Sequence, residues 1–140
     1  MINAIIEAIS IALNAEFGDG YEIHMEEIKQ GLTEPCFFIS CVNPTTDLFM
    51  GKRYFRANQF CIQYFPQSSD IQRECNDAAE TMCWCLEYIA VDGDIFRGNK
   101  MKYEVVDEVL RFFVNYDCFV YRTEQDVFME VLESDTTLKG

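Results

Sequence analysis

The sequence is poor in positive charge. Eleven Lys and Arg stand against 24 Asp and Glu, a net charge of −13 over 140 residues. Binding to a phosphate backbone needs clustered Lys and Arg to displace counterions, so nucleic acid is not an expected partner. No run of 18 apolar residues occurs, and no membrane-spanning helix is expected. Met1-Ile2-Asn3-Ala4 carries no basic stretch, so no signal peptide is expected. The seven glycines are scattered, and Gly98-Asn99-Lys100 lacks the spacing of a phosphate loop. There is one histidine, no internal repeat and no low-complexity tract.

What is present is apolar and aromatic. The chain is 49% hydrophobic and 14% aromatic, enough to bury roughly 70% of its unfolded surface as a single domain. Seven cysteines, an odd number, lie inside otherwise apolar segments. That is the pattern of free, buried thiols in a reducing compartment rather than of a disulfide framework.

The helical spacing of Ile2, Ile5, Ile6, Ile9 and Leu13 predicts a first helix ending near Phe17, where Gly18-Asp19-Gly20 supplies a turn. Tyr21, Ile23 and Met25 alternate with Glu22, His24 and Glu26 as in a half-buried strand. After a connection at 31–34, Cys36 to Val42 reads as a strand, and Asn43-Pro44-Thr45-Thr46-Asp47 as a turn. Leu48-Phe49-Met50 reads as an irregular excursion, with Gly51 a hinge. Arg53 to Phe65 is the longest expected strand, with Phe60, Ile62 and Tyr64 on one face and Gln59, Cys61 and Gln63 on the other. Pro66 stops it. Ser69 and Gln72 form a capping-box pattern that opens a second helix over Asp70 to Ala90, whose stripe is Ile71, Cys75, Ala78, Met82, Leu86 and Ile89. Asp92-Gly93-Asp94 and Asp107-Glu108 are turn signals around an extended, polar stretch broken at Gly98-Asn99. Val109 to Tyr121 is the last strand.

Turns too short for crossovers predict an α+β fold: a mostly antiparallel β-sheet packed on one face by two main helices. Residues 1–122 form the single domain. Residues 123–140 read as an acidic C-terminal extension, a short helix around Val127, Phe128, Val131 and Leu132 or partly disordered, with a frayed tail from Asp135 to Gly140.

Chemistry-bearing patterns are weak. Cys83-Trp84-Cys85 has one intervening residue, whereas zinc sites space cysteines by two to four and need a second pair; on a helix those two side chains diverge by about 200°. His24 lies between Glu22 and Glu26 with no motif around any cysteine, so a Cys–His nucleophile has no local support and a solvated histidine is the plainer reading. Asp92 and Asp94 are turn formers first. No catalytic, cofactor-binding or metal-ligating residue is assigned, and the chain is not read as an enzyme.

The remaining feature is the basic group Lys52, Arg53, Tyr54, Phe55 and Arg56, where aromatics interleave with cations. Such interleaving occurs in platforms for single-stranded nucleic acid, but three cations against a total of −13 argue against that; the plain reading is a solvated strand end, and the other is a protein interface, where Arg and Tyr are favoured. Residues 1–28 hold six carboxylates (Glu7, Glu16, Asp19, Glu22, Glu26, Glu27) and no Lys or Arg. An acidic unit on a neighbouring copy is therefore a natural partner for residues 52–56, in the head-to-tail geometry that closes rings.

Glu34-Pro35-Cys36-Phe37, Arg53-Tyr54-Phe55-Arg56, Gln59-Phe60-Cys61-Ile62-Gln63-Tyr64-Phe65-Pro66 and Asn115-Tyr116 form a distinctive set. With Val91-Asp92-Gly93, they make the chain, from Ile5 to about Tyr121, resemble the tail-terminator family of phage proteins found in prophages of Gram-positive bacteria. The resemblance implies a structural protein that stops growth of the tail tube and offers a surface to the head–neck connector, often as a six-fold homo-oligomeric ring. It implies the tail tube protein, the connector protein and further copies of itself as partners, and no cofactor. Its implied location is the bacterial cytoplasm during assembly and then the virion tail. The alternative from another class is a small acidic phage accessory protein, a DNA mimic that inhibits a host nucleic-acid enzyme. It needs carboxylates at phosphate-like spacing on one face, whereas those here are dispersed among aromatics.

Overall fold

The structure is a computed structural model and describes residues 1–25 and 34–122 and the backbone of 128–131. Helix α1 (Ile2–Phe17) is followed by β1 (Glu22–His24), β2 (Cys36–Met50), β3 (Arg53–Phe65), helix α2 (Ile71–Cys85), β4 (Tyr88–Val91), β5 (Asp94–Arg97), β6 (Asn99–Val106), β7 (Val109–Asn115), β8 (Cys118–Arg122) and β9 (Phe128–Val131). It is an α+β fold, with both helices on one face of a mostly antiparallel sheet. The main sheet runs β1-β2-β3-β7-β6, and β8 pairs the other half of β3 and carries β9. The one parallel pairing among these is β1 with β2.

The long strand β3 organises the sheet. Cross-strand partners share a face. The pairings Phe37↔Tyr64, Ile39↔Ile62, Ile62↔Phe112 and Phe60↔Val114 therefore put these residues on one inner face. All are essentially fully buried, against Ile5, Ile9 and Leu13 of α1 and Cys75, Ala79 and Met82 of α2. The opposite, outer face holds Gln59, Cys61, Gln63, Arg111 and Phe113. Cys36 and Cys61 are buried on this outer face, outside the central cluster.

Strands β7 and β8 keep one register along β3, with Gln59 opposite Asn115 and Arg56 opposite Cys118. The sequence reads them as one strand, and the interruption at Tyr116-Asp117 comes from side-chain pairing. Fully buried Asn58 donates its backbone N–H to Asp117 Oδ1 (3.0 Å) and its Nδ2 to the Tyr116 carbonyl (3.0 Å), while its own carbonyl accepts from the Tyr116 N–H (2.9 Å).

Several local expectations are corrected. Asn43 to Asp47 is not a turn. It lies within β2, where Asn43 at φ 50 marks a bulge and the register shifts between Val42 and Thr45. Leu48-Phe49-Met50 completes the strand, and Gly51-Lys52 is the tip of a long β2–β3 hairpin, with Gly51 at φ 58. Helix α2 stops at Cys85, and Ile89 belongs to β4. The Ser69/Gln72 capping box does not form. The helix starts at Ile71 with Asp70 as its N-cap and no side-chain cap bond, and Glu74 instead accepts from the N–H groups of Gln67 (3.1 Å) and Ser68 (2.8 Å). Where a short helix is expected around Phe128, the backbone of Phe128–Val131 pairs with β8 as a strand. Glu26, Glu27, most of the connection at 31–34 and the tail from Asp135 lie outside the described residues.

Two turns match their signals. Asp92 (φ 51) and Gly93 (φ 86) close the β4–β5 hairpin, and Asp107 (φ 53) and Glu108 (φ 66) close β6–β7. Both have positive φ at the two central residues, as type I′ hairpin turns require.

Candidate protein–protein interface

The basic group at residues 52–56 lies at the tip of the β2–β3 hairpin, but it is not one patch. Alternation along β3 sends Arg53 and Phe55 to the outer face, opposite Tyr121 and Phe119. Tyr54 and Arg56 go to the inner face, opposite Val120 and Cys118. Lys52 sits in the exposed turn, where its carbonyl accepts from the Arg122 N–H (2.9 Å).

On the outer face the aromatic residues hold Arg53. Its guanidinium carbon lies 4.8 Å from the Phe119 ring centroid and 5.2 Å from that of Phe49. Phe119 meets Phe49 and Phe55 edge-on, with centroids 5.0 and 5.2 Å apart. Each cation–ring contact contributes on the order of 0.5–1 kcal/mol at an exposed site. Nε of Arg53, like that of Arg56, has no hydrogen-bond partner among the described residues. The stack holds the guanidinium between the two rings and leaves the buried Nε without a partner. Phe49 in the stack is 52% exposed and Met50, opposite Arg53, 62%; Leu48, opposite Tyr54 on the other face of the hairpin, is 63% exposed. The tip is thus an apolar projection rimmed by Lys52, Arg53, Arg56 and Arg122, with Asp47 the acid among the described residues there.

Sequence reading missed Leu48, Phe49, Met50 and Phe119. For the first three a signal existed: an apolar run ending at Gly-Lys before a strongly alternating strand is a hairpin pattern. The turn-like Asn43-Pro44 masked it. Phe119 is brought to Arg53 by the sheet register alone.

Tyr88 and Ile95, each 55% exposed, share the outward face of β4–β5, and Trp84 at the end of α2 is 78% exposed. Arg97 pairs with Glu87 (3.6 Å) and lies over the Tyr88 ring (5.9 Å).

Burial raises the thiol pKa of Cys36, Cys41, Cys61, Cys75 and Cys83, and pushes that of Cys85 up to about 12. An activated nucleophile needs the opposite shift. His24 Nε2 lies 3.2 Å from Glu22 Oε1. None of the seven cysteines is in a disulfide, and among the described residues no group of three or more His, Cys, Asp and Glu could hold a metal ion. Among the same residues no helix is long and apolar enough to cross a membrane.

The fold and this surface define a class: a small α+β protein whose β2–β3 hairpin projects an exposed apolar tip edged by cations. A family model described as phage tail terminator protein matches residues 4–127. The chain belongs to that family, and so to the structural proteins of phage tails. No curated protein matches the chain.

Proposed function

We propose that the protein caps the tail tube and joins it to the head–neck connector through a homo-oligomeric ring, a hexamer being the form expected from its family. In this reading it is a structural component rather than an enzyme, assembles in the bacterial cytoplasm and remains in the virion tail. The hairpin tip, with Lys52, Arg53, Tyr54, Phe55 and Arg56, is its contact with a neighbouring copy or with the tube.

The observation that carries the reading is the Arg53 stack. The rings of exposed Phe49 and of Phe119 hold the Arg53 guanidinium at the tip, beside exposed Met50. Interface hot spots are built from such residues. A net charge of −13 would hold identical copies apart unless opposite charges meet at the contact, and the basic tip supplies the minority sign.

Electron microscopy of purified tail tubes mixed with the protein tests the proposal. Rings at one end of the tube are expected, together with overlong tubes when the protein is withheld during assembly. Bare tube ends and unchanged tube length would overturn it.

A further inference from the structure

A groove of about 350 Å³ lies at the other end of the molecule, between the C-terminal end of α1 and the first turns of α2. Phe17, Tyr21 and Tyr64 line it with aromatic surface, the Phe17 and Tyr21 centroids being 5.3 Å apart and those of Tyr21 and Tyr64 6.2 Å. Asp70 and Asp77 stand exposed at the groove. Glu74 also lines it, but its oxygens are taken by Tyr64, Gln67 and Ser68.

We propose that this groove receives the β2–β3 hairpin tip of a second copy of the chain. The inference rests on the homo-oligomeric reading above and names its contact. Chemistry and geometry both support it. The tip presents Leu48 and Met50 with Lys52 and Arg53, and the groove presents aromatic surface with Asp70 and Asp77. The minority charges are also opposite, Asp47 at the tip and Arg73 at the groove.

Geometry excludes a contact within one copy. Arg53 and Tyr64 stand near opposite ends of β3, a 13-residue strand, which at ~3.3 Å per residue spans about 40 Å. A molecule cannot reach its own groove, so tip-to-groove docking is head-to-tail. Such contacts close into a ring when the rotation between copies allows it. The charged part weakens with salt, since the screening length is about 10 Å at 0.1 M.

Two variants and their mixture test the contact. One changes the tip (Leu48→Ser, Met50→Ser, Lys52→Glu), the other the groove (Asp70→Ser, Asp77→Lys). All these positions are exposed. Sedimentation at low salt is expected to show each variant associating about tenfold or more weakly than wild type. Their mixture is expected to form one-to-one dimers and nothing larger, because the groove variant keeps a working tip and the tip variant keeps a working groove. Where rings form only on tube ends, each variant alone is expected to leave those ends bare. Either variant assembling like wild type would overturn this contact while leaving the ring intact, as would, where wild type associates in solution, a mixture that stays monomeric although both variants melt like wild type. Wild-type protein that associates neither in solution nor on tube ends would overturn the ring reading itself, and this contact with it.

Discussion

Tyr64 and Tyr116, both on the inner face of the sheet, hold opposite ends of α2. The Tyr64 hydroxyl donates to Glu74 Oε2 near the first turn (2.5 Å), and the Tyr116 hydroxyl donates to the carbonyl of Leu86 just after the last (2.5 Å). The helix is thereby fixed to β3 at its start and to the β7–β8 junction at its end, and the groove beside Tyr64 is fixed with it. Tyr116 is fully buried, so Tyr116→Phe strands the Leu86 carbonyl. A loss of about 1–3 kcal/mol in urea unfolding is expected. An unchanged midpoint would show that the carbonyl finds another donor.

Glu74 gives α2 a pH dependence. Burial alone would raise its pKa, but the hydrogen bonds from Tyr64, Ser68 and Gln67 outweigh this and hold the carboxyl below its ordinary value of 4.5. A depressed folded-state pKa stabilises the protein above the unfolded pKa, and that contribution is lost as pH falls through the folded one. Glu74→Gln should therefore lower the Tm at about pH 7, with the gap to wild type closing as the pH falls below about 4. A gap that stays constant down to acid pH would assign the effect to packing.

Arg53→Glu with Arg56→Glu should leave the fold standing and stop normal tail assembly. The Arg53 part costs about 1–2 kcal/mol, because two cation–ring contacts are lost. That is small against the 5–15 kcal/mol typical of a folded domain. Circular dichroism and tail length measured by electron microscopy check the two halves separately. Tails of normal length would reject the role of the tip.

Gly98 is required for close packing rather than for a turn. A Cβ there would lie 2.8 Å from the Leu86 carbonyl oxygen and 2.8 Å from Val114 Cγ2. Gly98→Ala should destabilise the protein by about 1–3 kcal/mol. Thermal melting checks this, and a wild-type Tm would mean that the β5–β6 connection moves freely away from α2.

The thiols should be unreactive in the native state. Cys36, Cys61, Cys75 and Cys118 are buried, and Cys85 is pushed up to about 12 by burial and by Glu16. Iodoacetamide at about pH 8 should label native protein slowly and all seven cysteines after denaturation. One fast, stoichiometric label would reveal an activated thiolate.

The sequence alone determined the elements whose periodicity is strong. The spacing from Ile5 to Leu13 set α1, the alternation from Phe60 to Tyr64 set the buried face of β3, and Pro66 set its end. Asp92-Gly93 and Asp107-Glu108 set their turns, because few residue pairs accept two successive positive φ values. These signals are local, and local sterics and burial suffice to read them. The family motifs are likewise strings of adjacent residues.

Tertiary structure decided the rest. Asn43-Pro44 has turn chemistry, yet pairing with β3 on either side holds it as a bulge inside β2, and only that makes a projecting hairpin of Leu48 to Lys52. The apparent patch at 52–56 splits between two faces once β3 is a strand, because successive side chains point opposite ways. Ile89 continues the helical stripe in sequence but turns into β4, where it pairs with Phe96 and both side chains are buried, while Ile95 and Ala90 face outward. The Arg53–Phe119 stack and the groove between α1 and α2 join residues far apart in the chain. No local pattern encodes them, because the sheet register and the packing angle of the helices create them.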